Sequence, residues 1–102
     1  MEDEALMHAS VRRYRVRDID TLVSKVEDEF VDQVKEIDGF VGYYVIDGDD
    51  GTVASVTVGD TAQAVAESVR LAATWVRDSI ADLVEGEPEV TVGEVRVSAE
   101  RD

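Results

Sequence analysis

Two helical stripes of apolar residues, separated by a strand–turn–strand segment, constrain the fold of this chain more than any other feature. In residues 19–37 apolar side chains recur at three- and four-residue steps with acidic residues between them. Asp18 fits the N-cap of this helix, and Gly39 fits its end. A second amphipathic helix begins at residues 60–63, which resemble a capping box with Asp60 in the cap position, and is predicted to run to about Val84.

Four segments around these helices have the composition of β-strands. They are rich in β-branched and aromatic side chains and cover residues 7–17, 40–46, 52–58 and 90–97. The order is therefore βαββαβ. Two right-handed crossovers place both helices on one face of a four-stranded antiparallel sheet, so the predicted fold is ferredoxin-like α+β.

The length of 102 residues fits a single domain. We predict this domain over residues 7–98. A disordered N-terminal tail of residues 1–6 precedes it, and a C-terminal tail of residues 99–102 follows it.

The face of the sheet that points away from the helices has no covering element within the chain. A one-sided sheet alternates between apolar and polar residues, yet the second strand is apolar at both parities. We therefore predict that a second copy covers this face and forms a two-fold homodimer, sheet to sheet. Arg13 and Arg15 have the parity of this face, where they either neutralise carboxylates such as Glu94 across the interface or line a cavity between subunits.

Acidic residues dominate the charge of the chain. Its 24 Asp and Glu against 10 Lys and Arg give a formal net charge of -14, and the acids are spread along the whole sequence. Such a surface repels nucleic acids and anionic membranes. Only two of the basic residues, Lys25 and Lys35, are lysines, and an acidic, lysine-poor surface is typical of halophilic proteins that work in multimolar salt. The alternative is an ordinary acidic protein with a basic partner.

Several kinds of site are excluded by residue type. The chain has no cysteine and one histidine, His8, which we expect to be exposed at the start of the first strand. The turn at residues 47–51 has Gly51 and Val58 where an EF-hand loop needs its fifth and twelfth ligands, so it is predicted to be a hairpin turn. We expect no metal and no cofactor. The acidic N-terminal residues and the lack of an apolar run of about 20 residues predict a cytoplasmic protein.

Several segments carry a resemblance to a known group of proteins: VRRYRV in the first strand, GFVGYYVID after the first helix, an alanine-rich second helix with Trp75, and the closing PEVTVGEV. From Met7 to Ser98 the chain resembles the dimeric α/β-barrel superfamily, and within it the antibiotic-biosynthesis-monooxygenase-like domains, as an acidic member of haloarchaeal type. The superfamily includes cofactor-free oxygenases of aromatic polyketides and quinones, haem enzymes, isomerases, and stress-associated members with no established reaction.

The resemblance argues against haem degradation. In the haem-degrading members an Asn on the first strand and a His on the second helix are required. Here Arg12 occupies the Asn position, and no histidine follows Trp75.

The pocket of this superfamily lies between the sheet and the helices. Seven side chains are predicted to point into it: Ser10, Arg12, Tyr14, Phe40, Tyr44, Leu71 and Trp75. Arg12 would hold a carboxylate, enolate or phenolate oxygen of the ligand. Tyr14 or Tyr44 would orient a ligand hydroxyl, and Trp75 would pack against an aromatic ring of the ligand. The alternative is that the aromatic residues are core and that Arg12 pairs with a helix carboxylate.

These features predict a homodimer that binds a small aromatic or apolar molecule, with cofactor-independent monooxygenation as the reaction if it is an enzyme. The substrate anion, stabilised by Arg12, would then pass an electron to oxygen. The alternative is a non-catalytic, stress-associated binding or interaction module. A third possibility, an isomerase or decarboxylase of small lactones, needs a His or an acid pair in the pocket, and only His8 is near. No catalytic residue is assigned. A cavity of about 300 Å³ at Arg12 and Trp75 would favour a ligand site, and a filled one would favour the module.

Overall fold

The computed structural model describes residues 7–101 and has the predicted order of strands and helices. Its elements are β1 (His8–Val16), α1 (Ile19–Lys25), a π-helical turn (Val26–Phe30), α2 (Val31–Lys35), β2 (Phe40–Asp47), β3 (Thr52–Gly59), α3 (Ala62–Ser79) and β4 (Val84–Glu94). The π turn joins α1 and α2 without a break, so the three together form the predicted first helix. Residues 95–101 have no regular secondary structure, and the predicted tail of residues 1–6 lies outside the described residues.

The strands form one antiparallel sheet in the order β2-β3-β1-β4, which confirms the ferredoxin-like fold. Asp18 caps α1 as predicted: its carboxylate accepts from the Thr21 amide at 3.1 Å. The cap of α3 is Thr61 and not the predicted Asp60: the Thr61 hydroxyl oxygen accepts from the Ala64 amide at 3.0 Å.

The second helix and the last strand have different limits from those predicted. The helix ends at Ser79 and β4 begins at Val84, which pairs with Val16. Irregular pairing between Arg13 and Arg15 leaves room for residues 86–88 in β4, including the one proline of the chain. Because a proline in a strand is tolerated where the ladder is interrupted, β4 extends through Pro88 instead of starting after it.

A β-bulge near the start of β2 changes the direction of its side chains. Phe40 pairs with Gly59 and Gly42 pairs with Val58, so Val41 is an extra residue. After the bulge Tyr43 shares the helix-facing side of the sheet, and Tyr44 points to the other side.

The hydrophobic core lies between the sheet and the helices. Phe30, 2% exposed, is at its centre, with its ring centroid 5.3 Å from that of Tyr43 and 5.3 Å from that of Trp75. Phe30 is the last residue of the π turn, and its side chain lies between Tyr43 of β2 and Trp75 of α3.

The outer face of the sheet, which points away from the helices, carries continuous apolar rows. One row crosses three strands through Tyr44, Val56 and Val11, which are cross-strand partners. Tyr44 is 58% exposed, and Ile46 on the same face is 52% exposed. No helix of the described residues is long and apolar enough to cross a membrane.

Arg13 and Arg15 are exposed on this outer face but have partners within the chain. Arg13 lies 3.7 Å from Glu89, and Arg15 donates to the Asp50 carbonyl oxygen at 3.1 Å. The suggested partner Glu94 pairs with His8 in the strand register, which places it on the opposite face, where its carboxylate lies 3.5 Å from Arg96.

Candidate functional site

A group of polar side chains, all buried except the half-buried Tyr43, occupies the helix-facing side of the sheet at its centre. Alternate residues of β1 point to this side, and the strand register brings polar residues of β2 and β3 beside them: Arg12 pairs with Ser55, and Tyr43 pairs with Thr57. We call this group the Arg12 cluster; it consists of Ser10, Arg12, Tyr14, Tyr43, Ser55 and Thr57.

Arg12 is the only charged member of the cluster and is only 7% exposed. Within residues 7–101 no carboxylate lies within 4.0 Å of its guanidinium nitrogens, and no described group accepts a hydrogen bond from it. The predicted alternative of an ion pair with a helix carboxylate is therefore not formed among the described residues. A buried guanidinium without an acceptor is costly, because its charge and five N–H donors have left water.

The hydroxyl groups around Arg12 are also enclosed. Ser10 is 2% exposed, and Ser55 and Thr57 are each 7% exposed. By contrast, the buried Ser68 on α3 donates to the Val65 carbonyl oxygen at 2.7 Å, as isolated buried hydroxyls usually do. The polar groups of the cluster thus form a patch without a carboxylate.

Burial keeps both tyrosines of the cluster protonated. It raises the pKa of Tyr14, an effect that the nearby Arg12 charge and the Ser55 hydroxyl partly offset. Burial also raises the pKa of Tyr43, the neighbouring Tyr14 raises it further, and Ser55 and Arg12 lower it in part. Both phenols therefore remain O–H donors at neutral pH. A guanidinium beside two phenols and aliphatic hydroxyls is complementary to an anionic oxygen or another small anion.

Aromatic side chains cover one side of the cluster. Phe30 packs against Tyr43 and Trp75, and the Trp75 indole Nε1 donates to the Glu29 carboxylate at 3.2 Å. Glu29 also lies 3.6 Å from Lys25. Trp75 is only 8% exposed, so its indole is part of the hydrophobic core and does not line an open ligand pocket.

The structure brings some of the predicted site residues together and separates others. Ser10, Arg12 and Tyr14 lie side by side in the cluster, and Phe40 is half-buried against the core at the start of β2. The placement of Tyr44 in the pocket is wrong, because the bulge turns it to the outer face and puts Tyr43 in its place. Leu71 is half-buried on α3.

Three further residues of the site were not predicted: Tyr43, Ser55 and Thr57. Ser55 and Thr57 alternate with valines along β3, a signal that the sequence does contain. His8, expected to be exposed, is half-buried at the start of β1.

Two cavities are described, and neither is lined by Arg12 or Trp75. An open cleft of about 980 Å³ lies between the end of α2 and the start of α3, where Leu71 is the one predicted site residue. A smaller cavity of about 250 Å³ lies beside the β2–β3 turn and includes Val53. Around Phe30, the space between sheet and helices is occupied by side chains.

The helices leave the β4 edge of the sheet uncovered. Val90 pairs with Arg12 and Val92 pairs with Ser10, so both valines share the helix-facing side, and they are 41% and 51% exposed. We call Val90 and Val92 the β4 shelf. It provides an apolar surface directly beside the Arg12 cluster.

No family model matches the chain, and no curated protein matches it. Solved structures do share its fold. A monooxygenase from the gene ActVA-Orf6 of Streptomyces coelicolor, in complex with the ligand nanaomycin D, is 18% identical, with a TM-score of 0.75 over 98% of this chain and 96% of that chain. A protein of unknown function from Nitrosomonas europaea is 10% identical, with a TM-score of 0.74 over 98% and 99%. A dimeric ferredoxin-like protein from an uncultured marine organism is 8% identical, with a TM-score of 0.70 over 97% and 95%. The neighbours thus include proteins of the kind that the sequence resembles, and at these identities the likeness establishes the fold.

Proposed function

We propose that this protein binds a small organic anion with a flat apolar body at the Arg12 cluster, as a homodimer that pairs sheet to sheet. The observation that carries the proposal is the buried Arg12 guanidinium, which has no acceptor among the described residues. Leaving a buried donor unsatisfied costs about 1–3 kcal/mol, and more when it is charged. An anionic ligand removes this cost and gains charge-assisted hydrogen bonds.

The surroundings of Arg12 favour an organic anion with an apolar body. The β4 shelf offers exposed valine side chains next to the guanidinium, at the one side of the cluster that the helices leave uncovered. A flat ligand lying on Val90 and Val92 would direct its anionic oxygen towards Arg12 while Tyr14 and Tyr43 donate from the other side. Aromatic carboxylates, phenolates and enolates have this combination of groups.

Oxygenation of such a ligand is the reaction we propose if the protein is an enzyme. The solved neighbour described as a monooxygenase supports this direction through the shared fold. In this chain Arg12 and the phenols would stabilise the substrate anion, which would itself pass an electron to oxygen.

A non-catalytic binding or interaction module is the second candidate. It is favoured by the filled space around Phe30, since neither described cavity is lined by Arg12 or Trp75. Oxygen consumption with a bound electron-rich naphthol separates the two candidates.

Pairing of two copies is supported by the outer face of the sheet. The apolar side chains of Tyr44 and Ile46 on this face are each more than half exposed. A solved protein of the same fold is described as dimeric. Burying such rows against a second copy removes apolar area from water at about 25 cal/mol per Å². In sedimentation experiments we expect twice the 11.2 kDa mass of the chain, with Tyr44→Glu shifting it towards the monomer. The control Val97→Glu alters a residue that is 87% exposed and should leave the dimer intact.

Calorimetric titration with a matched pair of compounds tests the ligand. 2-Naphthoate and 2-naphthylmethanol have the same rings and differ in charge, and we expect the wild type to bind the naphthoate and not the alcohol. Arg12→Gln should weaken naphthoate binding at least about tenfold, the loss expected for a charged hydrogen bond. Arg77→Gln changes an exposed arginine on α3 that lies 3.3 Å from Asp78, away from the cluster and from the outer face of the sheet, and should have no effect. Equal binding by wild type and Arg12→Gln, or no binding by either, would overturn the proposal.

A further inference from the structure

We propose that, in the absence of an organic ligand, the Arg12 cluster binds a small inorganic anion of the halide class, which the organic anion has to displace. The inference rests on the anion preference proposed above for this cluster. It adds a second ligand and a means of regulation: the halide concentration sets the apparent affinity of the site.

The charge of Arg12 requires compensation in the closed arrangement that the structure describes. The guanidinium is 7% exposed and has no described carboxylate within 4.0 Å. Water could occupy the hydrogen-bonding groups, but it carries no charge to balance the guanidinium. The neighbouring phenols of Tyr14 and Tyr43 do not supply an anion either, because burial raises the pKa of both.

The packing around the cluster favours a small anion. Phe30 fills the space next to Tyr43, and the two described cavities lie elsewhere in the fold. A planar organic molecule is therefore confined to the exposed β4 shelf, whereas an anion of a single atom needs far less space. A monoatomic ion also accepts hydrogen bonds from any direction, which suits donors that converge from different strands.

The donors are arranged around Arg12 on three sides. Ser10 and Tyr14 are its neighbours on the same face of β1, at about 6.6–7 Å along the strand. Ser55 is its cross-strand partner on β3, with the Cβ atoms about 4.5–5.5 Å apart. Hydroxyl groups at these positions can turn their hydrogens towards one ion held by the guanidinium.

The acidic surface determines the conditions in which such a site fills. At a net charge of -14 the protein repels anions at low salt. At about 1 M salt the Debye length falls to about 3 Å, so the surface charge is screened while the buried guanidinium is not. The halide should therefore bind in concentrated salt, the condition in which the composition predicts that the protein works.

Anion exchange at constant potassium tests the inference. Replacing potassium glutamate by potassium chloride at about 1 M keeps the screening fixed. General exclusion effects of glutamate act on every variant alike, so the comparison between variants isolates the site. We expect the change from glutamate to chloride to raise the melting temperatures of wild type and Arg77→Gln by several degrees more than that of Arg12→Gln. Arg12→Lys retains the charge and serves as a second variant if Arg12→Gln does not fold.

Chloride-35 NMR and competition give a direct readout. The chloride line should broaden with wild-type protein, sharpen when 2-naphthoate is added, and broaden less with Arg12→Gln. The apparent dissociation constant of 2-naphthoate should rise in proportion to chloride and stay constant in glutamate.

The outcomes separate this inference from the proposed function. Naphthoate binding that depends on Arg12 but not on chloride overturns the halide site and leaves the function standing. Chloride broadening that depends on Arg12 without naphthoate binding supports the halide site and removes the organic ligand. Absence of both effects overturns both.

Discussion

The substitution of Phe30 tests the packing that closes the sheet–helix layer. Phe30 is 2% exposed, ends the π turn, and lies between the rings of Tyr43 and Trp75 with centroid distances of 5.3 Å to each. Phe30→Ala removes the whole ring from this position. Phe30→Leu keeps most of the apolar volume but removes both aromatic pairs.

The expected cost follows from these contacts. Truncating a buried Phe to Ala costs about 3–5 kcal/mol, and each aromatic pair contributes about 0.5–1.5 kcal/mol of such a loss. We therefore expect Phe30→Ala to lower the free energy of unfolding by about 4 kcal/mol, and Phe30→Leu, which loses the two aromatic pairs, by about 1–3 kcal/mol. For a domain stabilised by about 5–15 kcal/mol in total, the alanine variant should be folded but markedly weakened.

Urea unfolding followed by the fluorescence of Trp75, the one tryptophan of the chain, measures both effects. Because Trp75 contacts Phe30 directly, its emission in the folded alanine variant should shift to longer wavelength as solvent gains access. Val97→Ala is the control, since that residue is 87% exposed and its truncation should change stability by less than about 0.5 kcal/mol. A loss below about 1 kcal/mol in Phe30→Ala, or equal losses in the two Phe30 variants, would refute the role we give to this side chain.

Three further substitutions or conditions give distinct expectations. Gly39→Ala should lower the melting temperature, because φ at Gly39 is +90° and a Cβ there would lie 2.5 Å from Asp60 Oδ1. Gly93→Ala is the control: a Cβ at Gly93 would have no atom within 4 Å, so the melting temperature should stay nearly unchanged. The hydrogen bonds from Thr21 hold the pKa of Asp18 below its usual 3.8. This cap therefore stabilises the fold above pH 3.8, and its contribution is lost as the pH falls through the folded pKa. Measured by circular dichroism, Asp18→Ala should lose less stability on acidification than the wild type. Raising KCl or potassium glutamate from about 0.1 to about 2 M should raise the melting temperature of the wild type, because screening weakens the repulsion of a net charge of -14; unchanged melting across the series would contradict the halophilic prediction.

The fold could be predicted from the sequence because its signals are periodic. The helical stripe from Ile19 to Ile37 and the turn before Thr52 determine the order of elements, and crossover handedness then leaves one arrangement of the sheet. Parity also placed Arg12 and Tyr14 correctly on the helix-facing side.

The remaining differences arise where a strand is irregular. Counting alternate residues from Phe40 assigns Tyr44 to the helices, and one extra residue at Val41 reverses the assignment in favour of Tyr43. Such a bulge depends on pairing with Gly59, a tertiary contact that periodicity along β2 does not encode. The irregular pairing around Pro88 likewise explains why the first half of β4 was not predicted as strand from the sequence.

The position of Phe30 shows a different limit. Its place in the apolar stripe predicted a core residue, which is correct. That its ring packs between Tyr43 and Trp75 is a tertiary arrangement of β2 and α3, which the spacing of apolar residues along one helix does not encode. Spacing alone cannot distinguish a ring that lines a cavity from a ring that closes it.

Both outer strands of the sheet are interrupted, β2 by the extra Val41 and β4 by the segment around Pro88. Straight outer strands are templates on which further chains can add without limit, and irregular ones are not. The broad outer face is the surface through which we propose that two copies pair, and in a two-fold pair each copy covers that face on the other. The proposed assembly should therefore stop at two copies, even in concentrated salt, where screening weakens the repulsion between acidic molecules.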